Sequence, residues 1–386
     1  MSTGRPEPAP PPAPLTADAL RAAFDAPAPL TVGLEEELML LHPETLELAP
    51  VGPEAIAALG EDGSFKLELP ASQLEIVTAP AADVHTAMRE LADGRARLAA
   101  DIEGIARPAA AAVHPFSDTE GELNEHQRYE RTKREFGRHA HRQLVCALQV
   151  HVAVGSADGT LAVYNALRSY LPELAALAAS APFHGGVDTG LASVRPKISE
   201  ELPRQGIPPP IESWDAFAQA LHWGATAGVV PEPAVWWWEL RPHPKWGTLE
   251  LRVPDAQATL ADAAAVAALA HALVGWLAER HRAGEELGAD PTWRIEENRW
   301  SACRWGVEGT LADLRTGERK ATPARLRELI EAVGPTGLRL GCAGELERAR
   351  ELAGYNGAMR IREVAADGGV RAVAEWLAER FGDGLE

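Results

Sequence analysis

Four short stretches of this chain alternate apolar residues with acidic or imidazole ones. They are Gly33-Leu34-Glu35-Glu36-Glu37-Leu38, Ser72-Gln73-Leu74-Glu75-Ile76, Leu148-Gln149-Val150-His151-Val152 and Thr248-Leu249-Glu250-Leu251-Arg252-Val253. A spacing of two puts side chains on one face of a β-strand, because successive Cβ atoms point to opposite sides. If the four stretches are neighbouring strands, one sheet face collects Glu35, Glu37, Gln73, Glu75, His151, Glu250 and Arg252. The other face keeps mostly Leu, Ile and Val.

The same reading predicts the elements around them. Thr16 to Phe24 is a short helix with Thr16 as its N-cap, and Leu30 to Leu41 is a strand. The turn His42-Pro43-Glu44-Thr45 leads to a second strand around Leu46 to Pro50. Phe65 to Leu69 and Gln73 to Thr78 are strands interrupted at Pro70. Asp83 to Arg107 has helical spacing. Ala109 to Val113 reads as a buried strand, Gly121 to Phe136 as a charged surface helix, and Val145 to Val154 as the His151 strand. Asn165 to Ala179 reads as an apolar helix despite Pro172. The Gly- and Pro-rich run Ala181 to Pro210 is too long for a plain connector and reads as an active-site loop. Val235 to Arg241 and Thr248 to Val253 pair as a hairpin. Thr259-Leu260-Ala261-Asp262 opens a long helix, and helices fill Pro323 to Val333, Gly344 to Leu352 and Val370 to Phe381. Strands scattered among helices, with hairpin-like pairing, make the fold α+β.

Composition narrows the class. The 386 residues, 46% of them apolar, suffice for one large domain. It is expected to span residues 16–386, behind a disordered Pro/Ala-rich tail at 1–15. A formal charge of −19 argues against nucleic acid or an anionic membrane as partner. The run Ala261 to Glu279 is apolar, but it carries Asp262 and His271 and reads as a helix packed on a sheet, not a membrane span. Cys146, Cys303 and Cys342 are odd in number and form no CxxC pair, which fits a reducing cytoplasm. A homodimer is the prior for a large enzyme of this kind.

The chemistry follows from the crowded face. One Glu-x-Glu on a strand is usually a water-facing edge, but so many carboxylates on one partly enclosed surface repel unless cations sit between them. Carboxylate oxygens with few thiolates suit Mg²⁺ or Mn²⁺. Arg195, Arg204, Arg241, Arg252, Arg299, Arg304, Arg360 and Arg362 form a second constellation, able to grip carboxylate or phosphate. Only Arg252 shares a strand face with one of these carboxylates, Glu250, by spacing alone. Trp236-Trp237-Trp238 is either sheet packing or a stacking platform for an adenine ring. GxxxxGK[ST] and a convincing GxGxxG are missing, so a nucleotide is not held in P-loop or Rossmann fashion. GxSxG and HExxH are missing too.

These residues carry a resemblance. Thr31 to Leu40, with Gly33-Leu34-Glu35-Glu36-Glu37, resembles the opening signature of the ATP-dependent carboxylate–amine ligases of the glutamate–cysteine ligase type 2 family. Further matches follow in order: Ser72-Gln73-Leu74-Glu75, His114-Pro115-Phe116-Ser117, Val150-His151-Val152, Tyr170-Leu171-Pro172, Ser180-Ala181-Pro182-Phe183 and the run Asp188 to Arg195. Pro203 to Pro209, Thr248 to Arg252 and Glu297-Asn298-Arg299-Trp300 complete it, so that the resemblance spans roughly Thr31 to Leu377. It implies a glutamine-synthetase-like fold, in which a curved antiparallel sheet forms a metal-lined funnel with flanking helices. It implies ATP and Mg²⁺ (or Mn²⁺), with Glu35, Glu37, Glu75, His151 and Glu250 as metal ligands and Glu68 as a weaker candidate. Arg252 and Arg195 are implied to be catalytic, and Arg252, Arg204 and Arg304 to hold the nucleotide. The small-molecule substrates implied are an amino-acid carboxylate such as glutamate and an amine such as cysteine, joined through an acyl phosphate. One departure is Gln149, where the family commonly has a first His before His151. A guanidino-kinase-like phosphotransferase and a non-catalytic binding protein with a degenerate site are the alternatives.

Overall fold

A computed structural model describes residues 15–60, 63–230 and 232–384. All of the expected tail except Leu15 lies outside the described residues. Seven strands form the main sheet: β1 (Val32–Leu41), β2 (Phe65–Leu67), β3 (Gln73–Val77), β4 (Arg107–Ala109), β5 (Leu148–Val152), β6 (Leu240–His243) and β7 (Thr248–Leu251). Their order is β2-β3-β1-β5-β7-β6, with β4 also pairing with β1, and every pairing is antiparallel. The sheet is open, with β2 and β6 at its edges. The α+β class read from the strand spacing is the class observed.

One face of the sheet is the core. Leu34, Leu38, Leu40, Leu74, Ile76, Leu148, Val150, Val152, Leu249 and Leu251 pack there with Val84, Met88 and Leu91 of the helix Val84–Asp101 and with the long helix Leu260–Arg282. Each such side chain contributes about 1.5–3 kcal/mol by leaving water. Asp83 and Thr259 cap these two helices by accepting from the N–H groups of Thr86 and Asp262. Among the described residues, Leu260–Arg282 is the one helix long and apolar enough to cross a membrane. Asp262 and His271 within it argue against a span. Here it is a core helix, with its alanines buried on all sides.

Glu36 is the exception on the core face. It is fully buried and meets the equally buried Arg95, which donates from Nε to Oε2 at 2.8 Å and from Nη2 to Oε1 at 2.6 Å. Arg95 spends its other donors on the carbonyls of Gln257, Ala258 and Phe381. Charge and hydrogen-bonding capacity are both matched, which a buried pair requires.

Several expected elements are placed differently. The strand around Leu46 to Pro50 is a single bridge, Leu41 to Leu48, and Leu46 just before it sits at φ +62°, outside extended geometry. Asn165–Ala179 is not one helix. Ala157–Leu167 ends in a 3-10 turn, and Leu171–Ala178 begins afresh with Pro172 in its first turn, where the missing N–H costs nothing. The helix expected to reach Arg107 stops at Asp101, leaving Arg107–Ala109 free to become β4. That strand ends where Ala109 to Val113 was expected to begin. The charged helix is shorter than expected, at Gln127–Phe136. β6 begins only at Leu240, since Pro233–Val235 coils into a 3-10 turn. The Gly- and Pro-rich run 181–210 carries a small hairpin, Phe183–His184 with Val187–Asp188, and a short helix Arg195–Ser199. Helices Gly52–Leu59 and Trp214–Thr226 were not foreseen. The final helix Gly357–Arg380 bends at Gly369, whose φ of +75° suits only glycine without strain. All three cysteines are buried and free.

Candidate active site

Strand register turns the alternation into a site. Glu37 lies opposite Glu75, Glu35 opposite Gln149, and His151 opposite Glu250. Further out, Lys66 stands across from Glu75 and Arg241 across from Glu250. All of these project to the face away from the core, where Glu35, Glu37, Gln73, Glu75, His151, Glu250 and Arg252, expected on one face from their spacing, are joined by Gln149.

Glu35, His151 and Glu250 form the tightest group, each offering a ligand atom within 4.8 Å of the others. His151 Nε2 is 3.9 Å from Glu35 Oε2, and its Nδ1 is 3.0 Å from the Thr248 hydroxyl. With the proton on Nδ1 and donated to Thr248, Nε2 turns its lone pair toward the two carboxylates. That nitrogen is buried and has no hydrogen-bond partner among the described residues. Glu250 is fully buried and accepts from Arg241 Nε at 2.6 Å, Arg241 Nη2 at 2.9 Å and Arg252 Nη1 at 2.6 Å. A carboxylate has about four lone-pair directions, so one remains. Two carboxylates and an imidazole with an unsatisfied nitrogen fit a divalent cation of the Mg²⁺–Mn²⁺ class.

The charges divide the face into two. Burial pushes Glu250 upward, but Arg241 and Arg252 outweigh it and hold the carboxyl well below its usual range. Partial burial pushes Glu35 upward as well, but the neighbouring His151 and Lys66 outweigh it and bring the carboxyl down to about 2. Glu75 goes the other way. Burial, and then the charges of Glu68 and Glu35, push it well above the usual carboxylate range. Burial also raises Glu37, whose oxygens accept from the Ala147 N–H at 2.6 Å and the Gln149 amide at 2.8 Å. Burial lowers His243 to about 4.

A cavity of about 980 Å³ opens above this face, lined by Glu35, Glu37, Lys66, Glu68, Gln73, Glu75, Gln149, Arg195, Arg241, His243 and Arg252. Arg252 donates from Nη1 to Glu250 and to the Gln149 side-chain oxygen. Arg195 donates to the carbonyls of Arg252 at 2.9 Å and Val253 at 3.3 Å, bracing that segment, and its buried Nε has no partner among the described residues. Trp237 lines the cavity, edge-on to Phe136 with ring centroids 5.7 Å apart. Trp236 packs against the core instead, edge-on to Phe217.

The other arginines lie elsewhere. Arg204 sits behind the wall, over Trp237 and donating to the Val235 carbonyl at 3.2 Å. Arg304 binds the Gly190 carbonyl and stacks on Trp305. Neither lines the cavity. Lys66 and His243 were not picked out from the sequence. The alternation Phe65-Lys66-Leu67-Glu68 beside the Glu75 strand was the signal for Lys66. His243 was hidden because β6 begins five residues later than expected.

Two solved structures share this architecture. Glutamate–cysteine ligase from Francisella tularensis, crystallised in complex with AMP, matches with a TM-score of 0.67 and 12% identity, over 92% of this chain and 89% of that one. A bifunctional glutathione synthetase from Pasteurella multocida matches with a TM-score of 0.60 and 15% identity, over 95% of this chain and 53% of that one. The fold is therefore that of the glutamate–cysteine ligases. The sequence itself goes further: the model of glutamate–cysteine ligase family 2 matches residues 31–375, and the chain belongs to that family. Its relatives include a Rubrobacter xylanophilus protein provisionally named glutamate–cysteine ligase 2-3, 38% identical over 93% of this chain and 99% of the relative. A Frankia casuarinae protein provisionally named glutamate–cysteine ligase 2-1 is 34% identical, over 95% and 98%.

Proposed function

We propose that the protein is an ATP-dependent carboxylate–amine ligase that joins an amino-acid carboxylate such as glutamate to an amine such as cysteine. The observation that carries this reading is the Glu35–His151–Glu250 group, with its unpartnered His151 nitrogen, beside a roomy cavity that also presents Arg252 and Arg195. Family membership supports the choice of substrates and of ATP.

A carboxylate is a poor electrophile, so amide formation in water needs prior activation. In the proposed reaction the substrate carboxylate attacks the γ-phosphorus of ATP, giving an acyl phosphate and ADP. The amine then displaces phosphate. Glu35, His151 and Glu250 would hold a divalent cation, with Glu37 and Glu75 beside it, and such an ion supplies charge neutralisation for phosphate oxygens. The chain's own part is pre-arrangement. Arg252 is fixed by Glu250 and Gln149 and its backbone is braced by Arg195, so its positive charge is in place before substrate arrives. Glu250 in turn is fixed by Arg241, which also donates to the Ala234 and Trp236 carbonyls. No side chain has to act as a covalent nucleophile.

Incubation with ATP, Mg²⁺, glutamate and a panel of amines including cysteine tests the reading. ADP and phosphate appearing only when both co-substrates are present support it. ADP without phosphate makes the protein a phosphotransferase, and no use of ATP makes it a binding protein.

A further inference from the structure

Glu35 serves two corners of the site. Its Oε2 faces His151, while its Oε1 lies 3.7 Å from the ammonium of Lys66. Lys66 also stands 3.2 Å from Glu75 Oε2, and among the described residues it is the one cation within ion-pair distance of that carboxylate. The face thus has two adjacent places for positive charge that share Glu35. One is bounded by His151 and Glu250, and the other is filled by Lys66.

The hold on Lys66 is loose. Its strand, β2, is three residues long, forms the sheet edge and, among the described residues, pairs only with β3. The Lys66 side chain is 39% exposed, against 6% for Glu75. Both contacts are longer than the roughly 2.8 Å of a good ammonium–carboxylate bond. One unit of charge on a flexible four-carbon stem faces Glu35 and Glu75 together, with Glu68 adding to the negative field at Glu75. A divalent cation offers twice that charge and prefers oxygen ligands.

We propose that Lys66 is a displaceable counter-ion: its ammonium fills the Glu35–Glu75 corner of the metal-free protein, and a divalent cation takes that corner only by expelling it toward the cavity. The inference rests on the metal-dependent reading above and adds the residue that sets how readily the ion enters. The exchange keeps the buried carboxylates compensated throughout, first by the ammonium and then by the ion. Because Lys66 lines the cavity, the expelled charge stays beside the space an anionic substrate would fill.

The test uses the full chain and Mn²⁺ alone, without nucleotide, followed by electron paramagnetic resonance of the free ion. Lys66→Met removes the competitor, so Mn²⁺ should bind roughly tenfold tighter. Lys66→Arg keeps a cation there and should stay within about twofold of the wild type. A second measurement needs no variant. Acylation of Lys66 by an amine-reactive ester, read by peptide mass spectrometry, should increase when Mn²⁺ is added to the wild type. Unchanged or weaker Mn²⁺ binding by Lys66→Met, or Lys66 acylation that stays level or falls, overturns the counter-ion. If wild type and variant both fail to bind Mn²⁺, the metal-dependent reading falls with it. If the wild type binds and the variant binds no better, only the counter-ion falls.

Discussion

The two faces of β1 handle buried carboxylates in opposite ways. On the core face, Glu36 has a partner made to measure, since Arg95 meets both its oxygens and spends its remaining donors on backbone carbonyls. On the cavity face, Glu35 and Glu75 share the distant ammonium of Lys66, and the His151 nitrogen beside them has no partner among the described residues. Identical side chains at the adjacent positions 35 and 36 therefore have different work. A carboxylate whose needs are met from within the fold contributes to stability and specificity. One left short of positive charge is ready for something from outside.

That contrast can be broken from either side. The largest effect is expected at Arg95→Met, which strands Glu36 in the core and should cost about 3–5 kcal/mol, read by urea unfolding of the purified chain. A loss below 1 kcal/mol would mean that water reaches the pair. Glu35→Gln should do the reverse, lowering ADP formation by about 10²–10³-fold while Tm moves by no more than about 3 °C. A large drop in Tm would place Glu35 with Glu36 among the structural residues. A smaller effect concerns protons. Glu75 is raised in the metal-free protein, so an ion that needs its ionised form must displace a proton. Mn²⁺ affinity should therefore increase with pH from the ordinary carboxylate range upward, with proton release accompanying the ion. Calorimetry in buffers of different ionisation enthalpy counts that proton, and uptake instead of release would reverse the assignment. The smallest effect is expected at the exposed Lys320–Glu328 pair, 2.8 Å apart. Lys320→Ala should change stability by less than about 0.5 kcal/mol, which calibrates the value of an ion pair already surrounded by water.

The cavity face was legible because strand alternation is a local property. Glu35, Glu37, Glu75, His151 and Glu250 could be assigned to one side without knowing which strand neighbours which. The partners of those residues were not legible in the same way. Arg241 was one of eight arginines with no distinguishing mark, since its place opposite Glu250 depends on a hairpin register that the sequence reading began too early. Arg204 and Arg304 were expected at the nucleotide, but a long side chain goes wherever carbonyls and rings accept it, and both found theirs outside the cavity lining. The helix expected through Pro172 failed for a simpler reason. Apolar spacing continues across the break, whereas the backbone restarts at the proline. Glu36 read as one more acid in a run of three, because only the packed helix Val84–Asp101 reveals its arginine.

The three consecutive glutamates also police how β1 docks. A slip of one residue against β3 or β5 would turn Glu35 and Glu37 into the hydrocarbon interior with a single guanidinium to receive them, and would send Glu36 out to the solvent side. Misaligned pairings are thus penalised several times over, although the flanking leucines alone would tolerate some of them. Native-state hydrogen exchange should find the amides of this strand opening only with global unfolding, never by local sliding.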